Sequence, residues 1–546
     1  MRRRSSNSES GAILAIVIIL TLALTITGIA FLNAGVMEYR LAKREVYKNK
    51  AFYIAEGGLE RTLWNLKQDF ESGNRDWTDD INGVPVVDLP ADDPDYPDGW
   101  RLLDYDEASL SLGDGVYLVK VKYVDEDKIW VKSTGTVEGV PRTVQVLAEL
   151  LNLSAWNNAI FAGRSATEGP VIEGNARIYG SVHILGEQLT SDDFAMDMSG
   201  TAGIRNNYED MPGELADRVP GGPETVKSLD AKLRVKQGMV GLSGTATVGK
   251  PDDPGDPFDL KEMMDGVYVM DGGEGGYGGN QGVINVHSHN GTAYGYDLSD
   301  SVEYPQLSDF YVNPDTGEPY VNPDTGGPLT YLDYLKLCAV YIPEDEISSD
   351  IEFPAGGYIS DPKPYLDPVT GQAIESSIDW HWDQALGKGR LVVNGVVWVE
   401  AASLELGKNR DVIEYSGNGI IVVGSYGQPL GGNIRVVADL LAEGTYVPGG
   451  EGGFPNNVFG LIASNIYLAP DPADSQLAMT GAFYAENEII SRKQNEIAGT
   501  FVSNKFRIAD QVPRIYQVPE LANNLPPGIP GGTPIWYITT SQWSES

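Results

Sequence analysis

The stretch SESGAILAIVIILTLALTITGIAFLNAGVMEYR, residues 8–40, decides how the rest of the chain is read. From Ala12 to Leu32 it runs 21 residues without a charge, interrupted in its apolar character only by Thr21, Thr25, Thr27 and Gly28. A helix at about 1.5 Å per residue spans roughly 30 Å there, the thickness of a bilayer's hydrocarbon core. Arg2, Arg3 and Arg4 precede it, so the positive-inside bias keeps the N-terminus cytoplasmic and sends the remainder outward. A secretory signal has a shorter apolar core followed by small residues at a cleavage site. Here the run passes through Asn33 and Gly35 into charged helical sequence instead. The reading is a membrane anchor that is kept. A buried core helix is disfavoured by the length and by the flanking arginines.

The helical pattern continues past the apolar run. Tyr39, Ala42, Val46, Phe52, Ala55, Leu59, Leu63, Leu66 and Phe70 follow the stripe of an amphipathic helix, with Arg40, Lys43, Arg44, Lys48, Lys50, Glu60 and Arg61 between them. Gly57 and Gly58 each cost about 1 kcal/mol inside a helix, which allows a bend there. One helix over residues 12–70 is roughly 90 Å long. A lone anchor needs only its first half, so the amphipathic half must pack on a domain or on copies of itself.

These residues resemble the N-terminus of a type IV pilin, and specifically of the PilX-type minor pilins. A short basic leader ends in Gly11, the apolar helix begins at Ala12, and KAFYIAEGGLERTLWNL follows. There Ala51, Phe52, Ala55, Glu56, Gly58, Leu59 and Glu60 stand in an A-F-x-x-A-E-x-G-L-E arrangement. The resemblance implies a leader of residues 1–11 that a prepilin peptidase removes after Gly11. The helix survives the cut, holds the subunit in the inner membrane, and later packs against other pilin subunits in a filament core. Major pilins are similar in carrying a glutamate at the fifth residue after the cut, whereas that position here is Ile16 and the first acid is Glu38. A carboxylate at lipid depth is costly and marks function. Its absence implies a minor, priming or tip subunit over the bulk subunit. The alternative is that the position varies and the chain is incorporated along the shaft.

Of 39 basic and 77 acidic residues, eight and three fall in residues 1–50, leaving 31 and 74 beyond, a net −43. A body this acidic argues against nucleic acid as a partner and favours solubility. The single cysteine, Cys338 in YLKLCAV, permits no intramolecular disulfide and reads as a small buried hydrophobe.

The expected fold class is α+β, mainly β: a long N-terminal pilin-like helix (12–70), a small antiparallel sheet (71–155), then a β-helix or solenoid body. Residues 116–150 alternate as an antiparallel meander, and Gly73–Gly99 reads as loop. VIEGNARIYGSVHILG repeats Ile-x-Gly every six residues at Ile172, Ile178 and Ile184, predicting first solenoid rungs over 156–190; a Gly-rich hairpin is the alternative. GLIASN, GAFYAEN and GTFVSN, starting at Gly460, Gly481 and Gly499, recur 21 and 18 residues apart, predicting rungs over 391–512. Residues 191–390 read as an acidic, loop-rich insertion with helical hints at DFAMDM and DYLKLCAVYI. The Pro-rich 513–546 reads as a C-terminal cap.

No catalytic, cofactor-binding or metal-ligating residue is assigned, and the chain is expected not to be an enzyme. The tandem YVNPDTGEPYVNPDTGGP, with Asp315, Thr316, Gly317 and Asp324, Thr325, Gly326, and LDPVTGQ at 366–372 read as hairpin turns. The sharper alternative is calcium, for these loops or for Asp252, Asp253, Asp256 and Asp259. His287 with His289, and Asp379 with His381 and Asp383, share strand faces but supply too few ligands for a transition-metal site. Trp380 and Trp382 read as core, with a carbohydrate platform as the alternative. The sequence therefore points to a pilus-like minor or tip subunit, membrane-anchored before assembly and at the cell surface after it, priming assembly or presenting an adhesive head to a surface or glycan ligand. A membrane-anchored β-helix enzyme acting on polysaccharide, or a non-polymerising surface protein, are the alternatives.

Overall fold

Between Asn7 and Glu71 the chain is one unbroken 65-residue helix, α1. In the computed structural model all residues are described except 1–6, 72–76, 106–109, 126–127, 165–169, 257, 275–284, 292, 299–301, 314–317, 345–356, 384, 386, 426–429, 509–510, 533–535 and 546. The chain forms two units, residues 1–151 with 536–546, and residues 152–535. In sequence, the second is an insert between the last two strands of the first.

The first unit is an antiparallel meander packed on α1. Its strands are β1 (Asp80–Ile81), β2 (Val84–Asp88), β3 (Arg101–Leu103), β4 (Ser111–Leu112), β5 (Gly115–Asp125), β6 (Lys128–Val137) and β7 (Val140–Asn152). The sheet runs β1-β2-β3-β5-β6-β7 and ends on the C-terminal strand Trp536–Glu545, with β4 beside β5. Burial in β6 alternates strictly, as the period of a half-buried strand demands. Ile129, Val131 and Val137 join Tyr117, Val119, Val121, Val144 and Val146 against Ala51, Ile54, Ala55, Leu59 and Leu66 of the helix.

The second unit is a parallel β-helix with three faces. On its first face the strands stack in the order 340–342, 395–399, 418–422, 458–463, 482–485, 500–503, 160–162, 182–184, 232–235, 266–269, 293–294. At about 4.8 Å per rung this is a stack of roughly 48 Å. The other faces follow the same order, with 506–507 beside 172–173 and 514–516 beside 177–179. The two solenoid stretches of the sequence are thus one stack whose chain order is broken once: the rung ending at Tyr516 lies directly against the rung beginning at Ile160. Every rung advances in the same direction, so the chain must travel back along the stack between residues 295 and 339. The antiparallel strands Ala373–Asp383 and Lys388–Val399, with Lys363–Leu366 paired antiparallel to the first of them, close one end.

The core is a set of columns, one residue per rung. Ile497, Ile515, Ile178 and Ile204 are in register on the third face, and all are fully buried. Each contributes about 1.5–3 kcal/mol by leaving water. Phe483 stacks on Phe501 at 4.9 Å, adding about 0.5–1.5 kcal/mol. Tyr304 of the return segment lies over the joint, stacked at 6.3 Å on both Phe161 and Tyr484. Ser154 Oγ donates to Gly531 O at 2.9 Å and Trp156 Nε1 to Pro530 O at 2.8 Å, so the two ends of the insert are tied together.

Several sequence expectations change. Residues 191–390 are not an insertion projecting from the solenoid: strands from Phe194 to Tyr294 are rungs continuous with 160–187. Their polar and Gly-rich texture comes from the corners and the outward positions. DFAMDM is strand (Phe194–Met198), while DYLKLC falls within a helix, Tyr331–Cys338, whose Thr330 hydroxyl caps Asp333 N. Residues 513–546 are not a single cap, since Arg514–Tyr516 is a rung strand and Trp536–Glu545 belongs to the first unit. Within 73–99, residues 80–81 and 84–88 are strands. The six-residue Ile-x-Gly period marks one face to the next within a coil: Ile172, Ile178 and Ile184 lie on three successive faces, and their ladders are parallel, so the hairpin alternative does not hold.

Candidate functional site

The helix α1 divides at about residue 47. From Ile13 to Val46 the side chains are exposed all round, Phe31 at 74 % and Leu32 at 71 %. The polar interruptions carry their own partners: the Thr25 hydroxyl donates to Thr21 O at 2.7 Å, Thr27 to Ala23 O at 2.8 Å, and Thr21 to Val17 O. A hydroxyl bonded back to its own helix needs no water, which an apolar surrounding cannot supply. The helix is long and apolar enough over this segment to cross a membrane.

Beyond residue 47 the small residues of the motif set how closely helix and sheet approach. A Cβ on Gly135 of β6 would fall 2.1 Å from Ala51 O and 2.6 Å from Ala55 N, so backbone meets backbone there. A Cβ on Gly58 would fall 2.5 Å from Ser133 Oγ and 2.6 Å from the Tyr117 ring. Ala51, Ala55, Gly58 and Leu59 are buried in this contact, Phe52 and Glu56 are half-buried, and Glu60 is exposed. Gly58 therefore serves close packing, and α1 runs through Gly57 and Gly58 without a break. One turn on, Arg61 Nη1 donates to Tyr117 Oη at 2.7 Å and lies 4.4 Å from the Tyr105 ring centre. Asn65 Nδ2 donates to Tyr105 Oη at 3.2 Å. Burial raises the Tyr105 pKa, so its hydroxyl stays neutral and serves as the hub of this group. Phe52 meets Trp543 of the C-terminal strand edge-on at 6.4 Å.

A cluster of charges pins the loop between β2 and β3. Lys120 Nζ reaches Asp93 at 2.7 Å and Asp95 at 2.8 Å, and Lys132 Nζ reaches Asp95 at 2.7 Å while lying 4.2 Å from the Trp100 ring. The Lys120 bond holds the Asp93 carboxyl below its usual range. Burial pushes Asp95 upward, and its bonds to Lys120 and Lys132 outweigh that and lower it. Gly135, Tyr105, Tyr117 and this cluster had no motif to mark them.

The other sequence candidates are spread through the second unit. His289 Nε2 comes within 3.9 Å of Asp252 Oδ2, bringing two candidate groups together. Asp252 Oδ1 already accepts Glu262 N and Met263 N, Asp253 accepts Gly255 N, and Asp256 accepts Phe258 N. The backbone of His287 bonds the neighbouring rungs. His381 Nδ1 lies 3.5 Å from Asp379 Oδ1, and Trp380 is buried. Among the described residues no three His, Cys, Asp or Glu side chains converge as a metal would require. Asp315, Thr316 and Gly317 lie outside the described residues. The second repeat forms a hairpin, with Leu329 N donating to Tyr320 O and Asn322 Oδ1 accepting Asp324 N; Asp367 likewise caps Val369 N. Cys338 is buried, and burial pushes its thiol up to about 12.

The N-terminal segment described above matches a known family. Residues 10–60 match the family described as PilX N-terminal. This chain carries a PilX-type pilin N-terminus. The match takes in the Gly11–Ala12 junction, the exposed apolar helix and the small-residue motif that packs it on the sheet. No curated protein matches the chain. A solved structure, the competence-associated pilin ComZ from Thermus thermophilus, is 19 % identical with a TM-score of 0.49, over 92 % of this chain and 97 % of that one.

Proposed function

We propose that the chain is a minor, priming or tip subunit of a type IV pilus-like filament that displays its β-helix as an adhesive head. One observation carries this reading: a single helix is apolar and uncovered over its first half and tightly packed on a pilin-like sheet over its second. An uncovered apolar half-helix is stable only in lipid or against other apolar helices. Lipid before assembly and neighbouring pilin subunits after it supply both surroundings in turn. In this reading a prepilin peptidase cuts between Gly11 and Ala12, removing Arg2–Arg4. The N-terminus is cytoplasmic in the inner membrane beforehand, and the head is extracellular afterwards. Ile16 at the fifth mature position supports a role other than the bulk subunit, since a docking carboxylate is missing there. The reading assigns the head no catalytic activity, no nucleic acid partner and no obligatory cofactor.

The test is the mature N-terminus by mass spectrometry, together with immunogold labelling of sheared filaments. The expected result is a chain beginning at Ala12, with label at filament ends. A secreted form beginning downstream of Leu32 overturns the filament reading. Label at regular spacing along the shaft overturns the tip assignment alone.

A further inference from the structure

We propose that the cleft where the return segment crosses the rung joint binds a short neutral saccharide. The inference rests on the reading of the second unit as a displayed head and gives that head a ligand class. The cavity is about 390 Å³, within the range of roughly 300–1,000 Å³ that takes small ligands. A second cavity between Arg177 and Arg514 is about 160 Å³, below that range, and both guanidinium groups there already meet Asp210 or Glu496.

The chemistry of the larger cleft fits hydroxyl recognition. Glu187, Gln306, Ser308, Glu486, Asn487 and Asn504 line it, supplying acceptors and donors side by side. Leu307, Leu332 and Leu430 add an apolar wall for the C–H face of a sugar ring. No Lys, Arg or His is among the lining residues, so a uronate, sulfate or phosphate finds no countercharge. The Glu486 carboxylate is half-buried and has no hydrogen-bond or ion-pair partner among the described residues. Burial raises its pKa, the mark of an acceptor that lacks a donor.

The cleft is also held ready. Tyr304 Oη donates to Ala485 O at 3.0 Å, Tyr484 Oη to Pro305 O at 3.0 Å, and Asn504 Nδ2 to Glu486 O. The first two bonds join the return segment to the rung of Tyr484 and Ala485, and the third ties that rung to the next, so little ordering remains for a ligand to impose. Asn487 and Asn504 are the closing asparagines of GAFYAEN and GTFVSN, which places the repeat at the cleft wall.

The experiment uses the full chain in a detergent without a sugar head group, titrated with cellotriose, maltotriose, chitotriose and, as the charged control, trigalacturonate. Calorimetry and saturation-transfer NMR read binding. At least one neutral trisaccharide is expected to bind saturably, and trigalacturonate at least tenfold more weakly. Glu486→Gln should weaken binding about tenfold, and Asn487→Trp, at the exposed rim, should abolish it with an unchanged melting curve. The proposal is overturned by no saturable binding of any neutral trisaccharide, by preference for trigalacturonate, or by binding that survives Asn487→Trp. Filament incorporation is scored separately. Asn487→Trp should assemble like the parent chain, and a chain that binds sugar but never enters filaments refutes the pilin reading and leaves the site standing.

Discussion

Three glycine-to-alanine substitutions should separate in a fixed order, because each new methyl meets a different kind of obstacle. At Gly57 the nearest atom is Leu112 Cδ2, 2.6 Å from the added Cβ, at the far end of a side chain 44 % exposed. That methyl can swing away, and alanine in a helix is worth about 1 kcal/mol over glycine. Gly57→Ala should therefore be neutral or stabilising by up to about 1 kcal/mol. At Gly58 the obstacles are Ser133 Oγ and the buried Tyr117 ring, whose hydroxyl is bonded to Arg61. Overpacking costs about 1–3 kcal/mol, which exceeds the helix gain, so a net loss of about 1–2 kcal/mol is expected. At Gly135 the obstacles are Ala51 O and Ala55 N, at 2.1 and 2.6 Å. Backbone has no rotamer to change, so the helix must lift off β6. The loss should reach about 3 kcal/mol or more, the upper end of overpacking costs. For a unit of this size each kcal/mol moves the melting temperature by about 2–4 °C. Thermal unfolding followed by hydrogen exchange in the β5–β7 amides reads the first unit selectively. A Gly135→Ala chain as stable as the parent, or a Gly57→Ala chain less stable than Gly58→Ala, refutes the close-approach account of the motif.

Acid should release the loop between β2 and β3: the Asp93 and Asp95 pKa values are lowered on folding, so their contribution is present above the unfolded carboxylate pKa of about 3.9 and is lost as pH falls through the folded values. Lys120→Met should flatten that acid-side slope in a pH series of melting temperatures, and an unchanged slope excludes the cluster as its source. Ile178→Ala and Ile515→Ala face each other across the rung joint and should each cost about 2–5 kcal/mol in denaturant unfolding. Their double mutant should be non-additive because the two share one cavity, and strict additivity argues against the joint. Ile16→Glu should increase the number of copies per filament by quantitative mass spectrometry, while an unchanged ratio shows that this position does not set the subunit's role.

Local periodicity made much of this molecule legible. The stripe from Phe52 to Leu66, the alternation of residues 116–150 and the glycine-spaced rungs each place burial within a few residues, and burial on one face is what a local pattern encodes. The same logic misread residues 194–294, where a coil with long outward corners has the composition of a loop. The Ile-x-Gly period pointed to rungs without saying what it measures, which is the step from one face to the next.

Rung order lay outside any local pattern. Phe501 pairs with Ile160, and Ile515 with Ile178, across more than 300 residues. A parallel ladder accepts any apolar strand of the right length, so nothing near either residue names its partner. The tertiary structure settled that the later rungs lie below the earlier ones, because a coil that always advances one way forces the chain to return outside the stack. That return segment then brought Gln306 and Ser308 beside Glu187, Glu486 and Asn487, making a cleft to which the GAFYAEN and GTFVSN repeat supplies only one wall. What the sequence determined alone was the helix: its length, its uncharged half and the apolar stripe of its packed half need no distant partner to be recognised, because a hydrophobic span and an amphipathic face are properties of one continuous segment.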